Sequence, residues 1–219
     1  MKILCGVVTC NREKLLIRCI NKINEQELKP DCLLIINHGD KLTSLESNIN
    51  LIIINQKNEG SAAGWNRAIR YALDNNFNYI WLMDDDGYPD KKSLNLLIKN
   101  FKDHFSCLSS IVLREDKNEE LVFRMPKIKN KFTNNLIGFK NIRNIQKFSK
   151  NNLYPFVHLF NGALINIKAV KKVGNVDINF KIYGEEVDYF YRLKKYGPIY
   201  TLVNSYHFHP NVNQKHIED

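Results

Sequence analysis

The chain has 219 residues, with 32 Lys and Arg against 23 Asp and Glu, a net charge of +9 at pH 7, and a composition 44% hydrophobic and 25% charged. That length buries one substantial core, and that composition excludes a disordered tail, a collagen-like rod and a low-complexity scaffold. No apolar run approaches the roughly 18 residues a bilayer-spanning helix needs, and the apolar start at 1–8 reads as a strand rather than a signal peptide, so a cytoplasmic location is expected.

In chain order, the patterning predicts a strand at 3–8, a helix at 12–24 with Leu15, Leu16, Cys19, Ile20 and Ile23 on one stripe, and a strand at 32–36. A third strand at 51–54 leads to a helix at 62–73 carrying Trp65, Ala68, Ile69 and Ala72 on one face. A fourth strand at 79–83 and a helix at 93–105, capped by Asp90, follow. This β-α-β-β-α-β-α order, with strands that are near-continuous apolar runs, predicts a single-domain α/β fold with a mostly parallel, Rossmann-like sheet flanked by helices. Ligands of such sheets collect beyond the carboxyl ends of the strands. The stretch 127–152 has no sustained period and reads as a long excursion or a loosely helical flap. Regular pattern returns at 159–167, in a helix at 185–195, and in a strand at 199–203, before a polar tail from 211.

Charge is unevenly spread. Segment 121–176 holds no Asp or Glu and eleven Lys or Arg, which leaves 21 basic against 23 acidic residues elsewhere. Such a segment is either a solvated face or an attractor of anions: nucleic acid, an acidic membrane surface or a phosphorylated substrate. The five cysteines, Cys5, Cys10, Cys19, Cys32 and Cys107, are odd in number and lack C-x-x-C spacing, so reduced thiols are expected rather than a disulfide framework or zinc site.

The strand at 79–83 runs straight into Asp84, Asp85 and Asp86. Residues i and i+2 of an extended segment face the same way, so two of these carboxylates suit a hard cation whose remaining ligands are phosphate oxygens and water. The alternative is a solvated acidic turn before Gly87 and Pro89. Asn58, Gly60, Gly64 and Asn66 join a strand to a helix, where small residues either let backbone approach an anion at the helix N-terminus or pack helix on sheet. Glu185, Glu186 and Asp188 open the last helix. Acids there complement the macrodipole, and one facing a cleft would serve as a general base. His207 and His209 share one face if extended, as metal or phosphate contacts or as ordinary surface groups.

These elements together resemble glycosyltransferase family 2: Val7-Val8-Thr9-Cys10-Asn11-Arg12 after the first strand, the Asn58-x-Gly60-x-x-x-Gly64-x-Asn66 element, the Asp84 to Asp86 cluster and the Glu185-Glu186 pair fall in that family's order across 1–210. The resemblance implies a GT-A fold and inverting transfer of a sugar from a UDP- or dTDP-sugar to a hydroxyl of a saccharide or lipid-linked acceptor in surface-glycan synthesis. It implies a nucleotide-binding half at 1–106 and an acceptor half at 107–210. Thr9, Asn11 and Arg12 would hold base and ribose, with Asn37 where the family usually has Asp. Asn58, Gly60, Gly64 and Asn66 would lie against the donor sugar and diphosphate.

The same resemblance implies that Asp84 and Asp86 grip Mg²⁺ or Mn²⁺ and the ribose, that Asp85 reaches the sugar, and that His209, or His207 as its alternate, completes the metal shell. Phe160, Asn161 and Gly162 would form the loop beneath donor and acceptor, and Glu186 the base. The three-Asp cluster is similar to that of rhamnosyl- and galactofuranosyltransferases, which implies dTDP-rhamnose or UDP-galactofuranose as donor. The basic stretch 127–152 is then expected to meet a lipid-diphosphate acceptor or an anionic membrane face, and nucleic acid is not expected as a partner. Two other classes explain part of the pattern. A non-catalytic nucleic-acid or polyanion binder accounts for the basic segment and leaves the carboxylates unused, and a sugar nucleotidyltransferase would need a Gly-rich phosphate loop after the first strand, which is absent.

Overall fold

The computed structural model describes residues 1–42, 44–127, 138–180 and 184–211. Its first half runs β1 (Ile3–Thr9), α1 (Glu13–Asn24), β2 (Cys32–Asn37), β3 (Leu51–Asn55), α2 (Ser61–Asp74) and β4 (Tyr79–Asp84), in the expected order. Next come β5 (Tyr88–Pro89), α3 (Ser93–Asn100), β6 (Cys107–Arg114), β7 (Lys117–Met125), β8 (Phe139–Asn141), α4 (Ile142–Phe148) and β9 (Leu153–Tyr154). The chain closes with β10 (Asn161–Asn166), α5 (Ile167–Val173), α6 (Glu185–Tyr196) and β11 (Ile199–His209). Lys129, Lys131 and the tail from 212 lie outside the described residues.

The sheet order is β3-β2-β1-β4-β10-β6-β11-β5. From β1 the chain crosses to β2 on one side, and after β3 it returns to place β4 on the other, so the strand order reverses at β1 and a crevice opens there. Strands β1 and β2 are buried along their whole length because helices cover both faces. On one face α2 packs Trp65, Ala68, Ile69 and Ala72 with Tyr189 and Leu193 of α6. On the other, α1 and α3 contribute Leu16, Cys19, Ile20, Ile23, Leu94 and Leu97. Burial of these aliphatic and aromatic side chains, each contributing about 1.5–3 kcal/mol, is what holds the strand ends in place.

The sheet is mixed rather than mostly parallel. Strands β3, β2, β1 and β4 are parallel, as β6 and β11 are to each other, but β10 runs antiparallel between β4 and β6. Because β10 is buried at every position, its apolar run carries no mark of direction. The helix expected at 93–105 stops at Asn100, where Phe101 turns extended and packs its ring against Tyr79 at 4.9 Å. Asp90 accepts from the Lys92 N–H at 3.0 Å, shaping the turn before that helix. The last strand continues to His209 instead of ending at 203. Of the cysteines, Cys10 alone is exposed. Among the described residues no helix is long and apolar enough to cross a membrane.

Candidate active site

Thr9 of β1 pairs with Asn37 of β2, and Val8 with Asp84 of β4, so three strands end at one level beside the crevice. Asp85 is fully buried beneath that level. Thr9 Oγ1 donates to its Oδ2 at 2.5 Å, and Arg12 Nη2 lies 2.6 Å from its Oδ1. The other arm of Arg12, Nη1, reaches Asp86 Oδ2 at 2.8 Å, so one guanidinium spans two acids. From α1, Arg18 donates Nη2 to the Asp86 carbonyl oxygen at 2.6 Å, with its guanidinium 4.7 Å from the Tyr88 ring centroid.

Three adjacent carboxyls acquire three environments. Burial, then the charges of Asp86 and Asp85, push Asp84 well above the ordinary carboxylate range. Burial lifts Asp85 to about 6 against the pull of Arg12 and Thr9. For Asp86 burial is outweighed by His209 and Arg12, which hold it at about 2. His209 Nε2 stands 3.1 Å from Asp86 Oδ1, and its Nδ1–H donates to the Pro210 carbonyl at 2.7 Å. Burial would lower His209, but Asp86 overcomes that and raises it.

His207, the alternate ligand, is placed otherwise. Its ring is fully buried with no hydrogen-bond partner for either nitrogen among the described residues, and it fills the space left by two glycines. A Cβ on Gly87 would stand 2.3 Å from its Nε2, and one on Gly162 3.0 Å from its Nδ1. Burial and the neighbouring His209 push it down to about 3, so it is a neutral core group rather than a partner of the acids.

Beside the acids lies a cleft of about 900 Å³ whose walls include Thr9, Arg12, Asn58, Gly60, Ser61 and Asp84. Gly60 caps α2 at φ 94°, a left-handed conformation that favours glycine, and its N–H donates to Asn58 Oδ1 at 3.0 Å. The N-terminus of α2 thus opens on the cleft with its amides available to an anion. Gly64 serves packing: an added Cβ would meet Val8 Cγ1 at 2.7 Å and His38 Nε2 at 3.1 Å. Asn66 does not face the cleft. Its Nδ2 donates to the Val176 carbonyl at 2.6 Å, fastening α2 to the segment after α5.

A side pocket of about 270 Å³ adjoins Thr9, Asn11, Arg12, Asn37 and Asp40. Asn37 uses its whole amide on its own loop, donating to the Asp40 carbonyl at 2.7 Å and to Asn55 Oδ1 at 2.8 Å and accepting from Gly39 N–H at 3.0 Å. Asn11, at φ 53°, accepts from Asp40 N–H at 2.7 Å. These two residues shape the pocket wall.

The start of α6 adjoins the cleft through Ser61, one of the cleft's lining residues. Ser61 Oγ donates to buried Glu185 Oε1 at 2.5 Å, tying the start of α6 to the start of α2. Glu186 is half-buried. Burial, then Glu185, push it up to about 7, against a hydrogen bond from the Leu159 backbone. Asp188 is turned away: Arg192 binds its Oδ2 through Nε at 2.9 Å and Nη2 at 2.6 Å and reaches the Val173 and Asn175 carbonyls, so this acid locks α6 to α5 and is not a base. Phe160, at φ 64°, stacks on Trp65 at 4.4 Å and 9°, and its carbonyl accepts from Asp84 N–H at 2.9 Å. Asn161 is buried with Oδ1 unpartnered among the described residues, and Gly162, at φ 80°, forms the bulge in β10 that admits His207.

The sequence does not reveal the link between His209 and Glu186. Phe123 of β7 lies between His209, 5.4 Å away, and His158, 5.2 Å away, and His158 Nδ1 is 4.0 Å from Glu186 Oε1. Nothing local marks Phe123, on a partly exposed strand with no regular burial pattern that is placed by β6 and β8, or His158, which lies between β9 and β10.

A family model described as glycosyl transferase family 2 matches residues 5–165. The chain belongs to glycosyl transferase family 2. It is 28% identical over 221 residues to the galactofuranosyltransferase GlfT1 of Mycolicibacterium smegmatis, covering 95% of this chain and 71% of that one. Identity to the GlfT1 of Mycobacterium tuberculosis is 24%, over 93% and 68% of the two chains. Among solved structures it is similar to GalNAc-T7 with UDP, GalNAc and Mn²⁺, at a TM-score of 0.68 and 13% identity over 97% of this chain and 44% of that one. The mannosyltransferase PcManGT of Pyrobaculum calidifontis with GDP-Man and Mn²⁺ gives 0.64 and 14% over 98% and 58%. TarS 1–349 of S. aureus gives 0.61 and 14% over 96% and 60%, so the chain spans three-fifths or less of these solved chains. The transferase therefore shares the GT-A fold expected from its motifs.

Proposed function

We propose that this transferase is an inverting, divalent-metal-dependent enzyme that moves a sugar from a UDP- or dTDP-sugar to a hydroxyl of a saccharide or lipid-linked acceptor on the cytoplasmic side of the membrane. The observation that carries this reading is a cleft lined by Arg12 and Asp84, with buried Asp85 and Asp86 held beside it by Arg12, whose lining residue Ser61 is bonded to Glu185 at the start of α6 next to Glu186. Paired carboxyls held apart in proton affinity are the arrangement for which acid–base and charge-stabilising roles divide. The named relatives support galactofuranose as the donor sugar, and the two neighbours solved with Mn²⁺ support a divalent ion.

The residues fit such an ion. Among the described residues no three His, Cys, Asp or Glu groups form a closed metal cage. An ion that keeps waters and phosphate oxygens needs only one or two carboxylates. Asp84 and Asp86 offer these, and His209 offers Nε2, since its Nδ1–H is committed to Pro210. When bound, Mg²⁺ or Mn²⁺ would supply Lewis-acid neutralisation of the diphosphate charge.

The chain's own groups do the rest. The Ser61 amide at the α2 N-terminus meets the diphosphate, and the pocket beside Asn37 and Asp40 takes the nucleoside. Glu186, at about 7, is poised to take the acceptor hydroxyl proton at neutral pH, as a base tuned near the working pH does. The acceptor oxygen then bonds to the anomeric carbon as the bond to the diphosphate breaks, which inverts that centre. At the edge, exposed Lys140, Lys147 and Phe148 form a basic and aromatic rim suited to an anionic membrane face.

Screening UDP- and dTDP-sugars for nucleoside diphosphate release with Mg²⁺ or Mn²⁺ tests the reading. One donor should turn over in wild type and not in Glu186→Gln, which should still bind it. Turnover unchanged in that variant would reject Glu186 as the base. Binding to acidic vesicles that survives charge reversal of Lys140 and Lys147 would reject the membrane rim.

A further inference from the structure

His158 is a titratable group that the reaction scheme above leaves without a task, although it faces the proposed base directly. Its Nε2 is 3.3 Å from the Arg124 carbonyl oxygen. A carbonyl only accepts, so Nε2 carries the hydrogen. The ring is wedged between Phe123, 5.2 Å away, and Phe156, 5.0 Å away. That apolar clamp disfavours the charged form and pushes the imidazole down to about 4, so it is neutral at pH 7. A neutral ring with its hydrogen on Nε2 presents a bare lone pair at Nδ1.

That lone pair looks at Glu186 Oε1 across 4.0 Å. Carboxylate and Nδ1 are both acceptors, so with Glu186 ionised nothing lies between them to form a hydrogen bond, and they stand outside its range. Once a proton reaches Glu186, the same contact becomes a donor facing an acceptor, and a small carboxyl rotation closes it.

We propose that His158 is a positioning residue for Glu186, its Nδ1 accepting a hydrogen bond from the carboxyl once that carboxyl has taken the acceptor proton. The inference rests on Glu186 being the base. The proton passes from the acceptor hydroxyl to a Glu186 oxygen while the acceptor oxygen bonds to the anomeric carbon. The carbon–oxygen bond to the diphosphate breaks, and the nucleoside diphosphate leaves with that electron pair. The repulsion between the Nδ1 lone pair and the carboxylate charge eases as the proton arrives, and the hydrogen bond to His158 then holds that proton on Glu186, so the contact favours the transition state over the ground state. Donor binding is untouched.

Two substitutions separate this role from a packing role. His158→Phe keeps the ring volume and removes the acceptor. His158→Gln supplies an amide oxygen for Glu186 and an amide N–H for the Arg124 carbonyl. His158→Phe should lower kcat about tenfold, the worth of one hydrogen bond that the ionised carboxylate cannot make and the protonated carboxyl can, with donor KM within twofold. His158→Gln should recover most of that loss. Equal impairment of both variants, a donor KM that rises with the fall in kcat, or a kcat unchanged in His158→Phe would overturn the proposal.

If His158→Phe fails to fold, ring ¹⁵N shifts of the wild-type enzyme at pH 7 decide: protonated Nε2 and bare Nδ1 support the role, and the opposite tautomer excludes it. Glu186→Gln distinguishes the two levels of failure. If that variant turns over, the base assignment itself falls. If it is dead while His158→Phe is normal, only the role of His158 falls.

Discussion

Replacing Asp85 by Asn should stabilise the metal-free enzyme. Asp85 is fully buried, and its carboxyl is lifted from 3.8 to about 6 despite Arg12 and Thr9. Because the folded value is raised, ionised Asp85 works against folding. The penalty is absent below the unfolded value near 3.8, grows between there and 6, and is complete above 6. At about 1.4 kcal/mol per pH unit the gap amounts to ~3 kcal/mol. Asparagine approximates the neutral form, accepting from Arg12 and donating to Thr9.

For a chain of this size a change of 1 kcal/mol moves Tm by about 2–4 °C. In EDTA at pH 8, Asp85→Asn should therefore melt about 6–12 °C above wild type, and the difference should shrink toward zero by pH 4. Differential scanning calorimetry across that range is the assay. The neighbouring residue gives the opposite sign: Asp86 is held at about 2, stabilises the fold above pH 4 and loses that as pH falls through 2, so Asp86→Asn should cost ~2 kcal/mol at pH 7. An Asp85→Asn variant that melts no higher at pH 8, or an advantage that persists undiminished at pH 4, would refute the reasoning.

With Glu186 lifted to about 7 by burial and by Glu185, and with neutral His158 facing it, kcat should rise with pH and level off above about 7, since the base must be ionised; a profile flat from pH 5 to 9 would reject this. Gly64→Ala drives a Cβ to 2.7 Å from Val8 and should lower stability by about 1–3 kcal/mol, measured by urea denaturation. Asp188→Ala breaks the Arg192 clamp between α6 and α5, so Tm should fall by a few degrees while donor KM stays within twofold; unchanged Tm would contradict the structural role.

Much of the nucleotide half is legible in the sequence because its strands and helices have opposite periodicities. Ile3 to Val8 admits only a buried strand, and Leu16, Cys19, Ile20 and Ile23 only a helix face. Three acids after such a strand must lie at its carboxyl end, where β1 and β4 put them. What stays hidden is what depends on partners distant in sequence. The direction of β10 is invisible because both its faces are buried, and β6 and β7 owe their places to β10 and β11. Asp188 and Glu186 sit two residues apart in one acidic turn, yet Arg192 claims the first while the second meets the Leu159 backbone and faces His158. Likewise His207 and His209 point to one face of an extended strand. Glycines at 87 and 162 draw one ring inward while Asp86 meets the other.

The acid loop and His209 as holders of a divalent ion against a nucleoside diphosphate are most directly tested by titrating UDP calorimetrically with Mn²⁺ and with EDTA. The expected result is affinity at least tenfold tighter with Mn²⁺, a gain that disappears in Asp86→Asn. UDP binding indifferent both to the ion and to that substitution would contradict it.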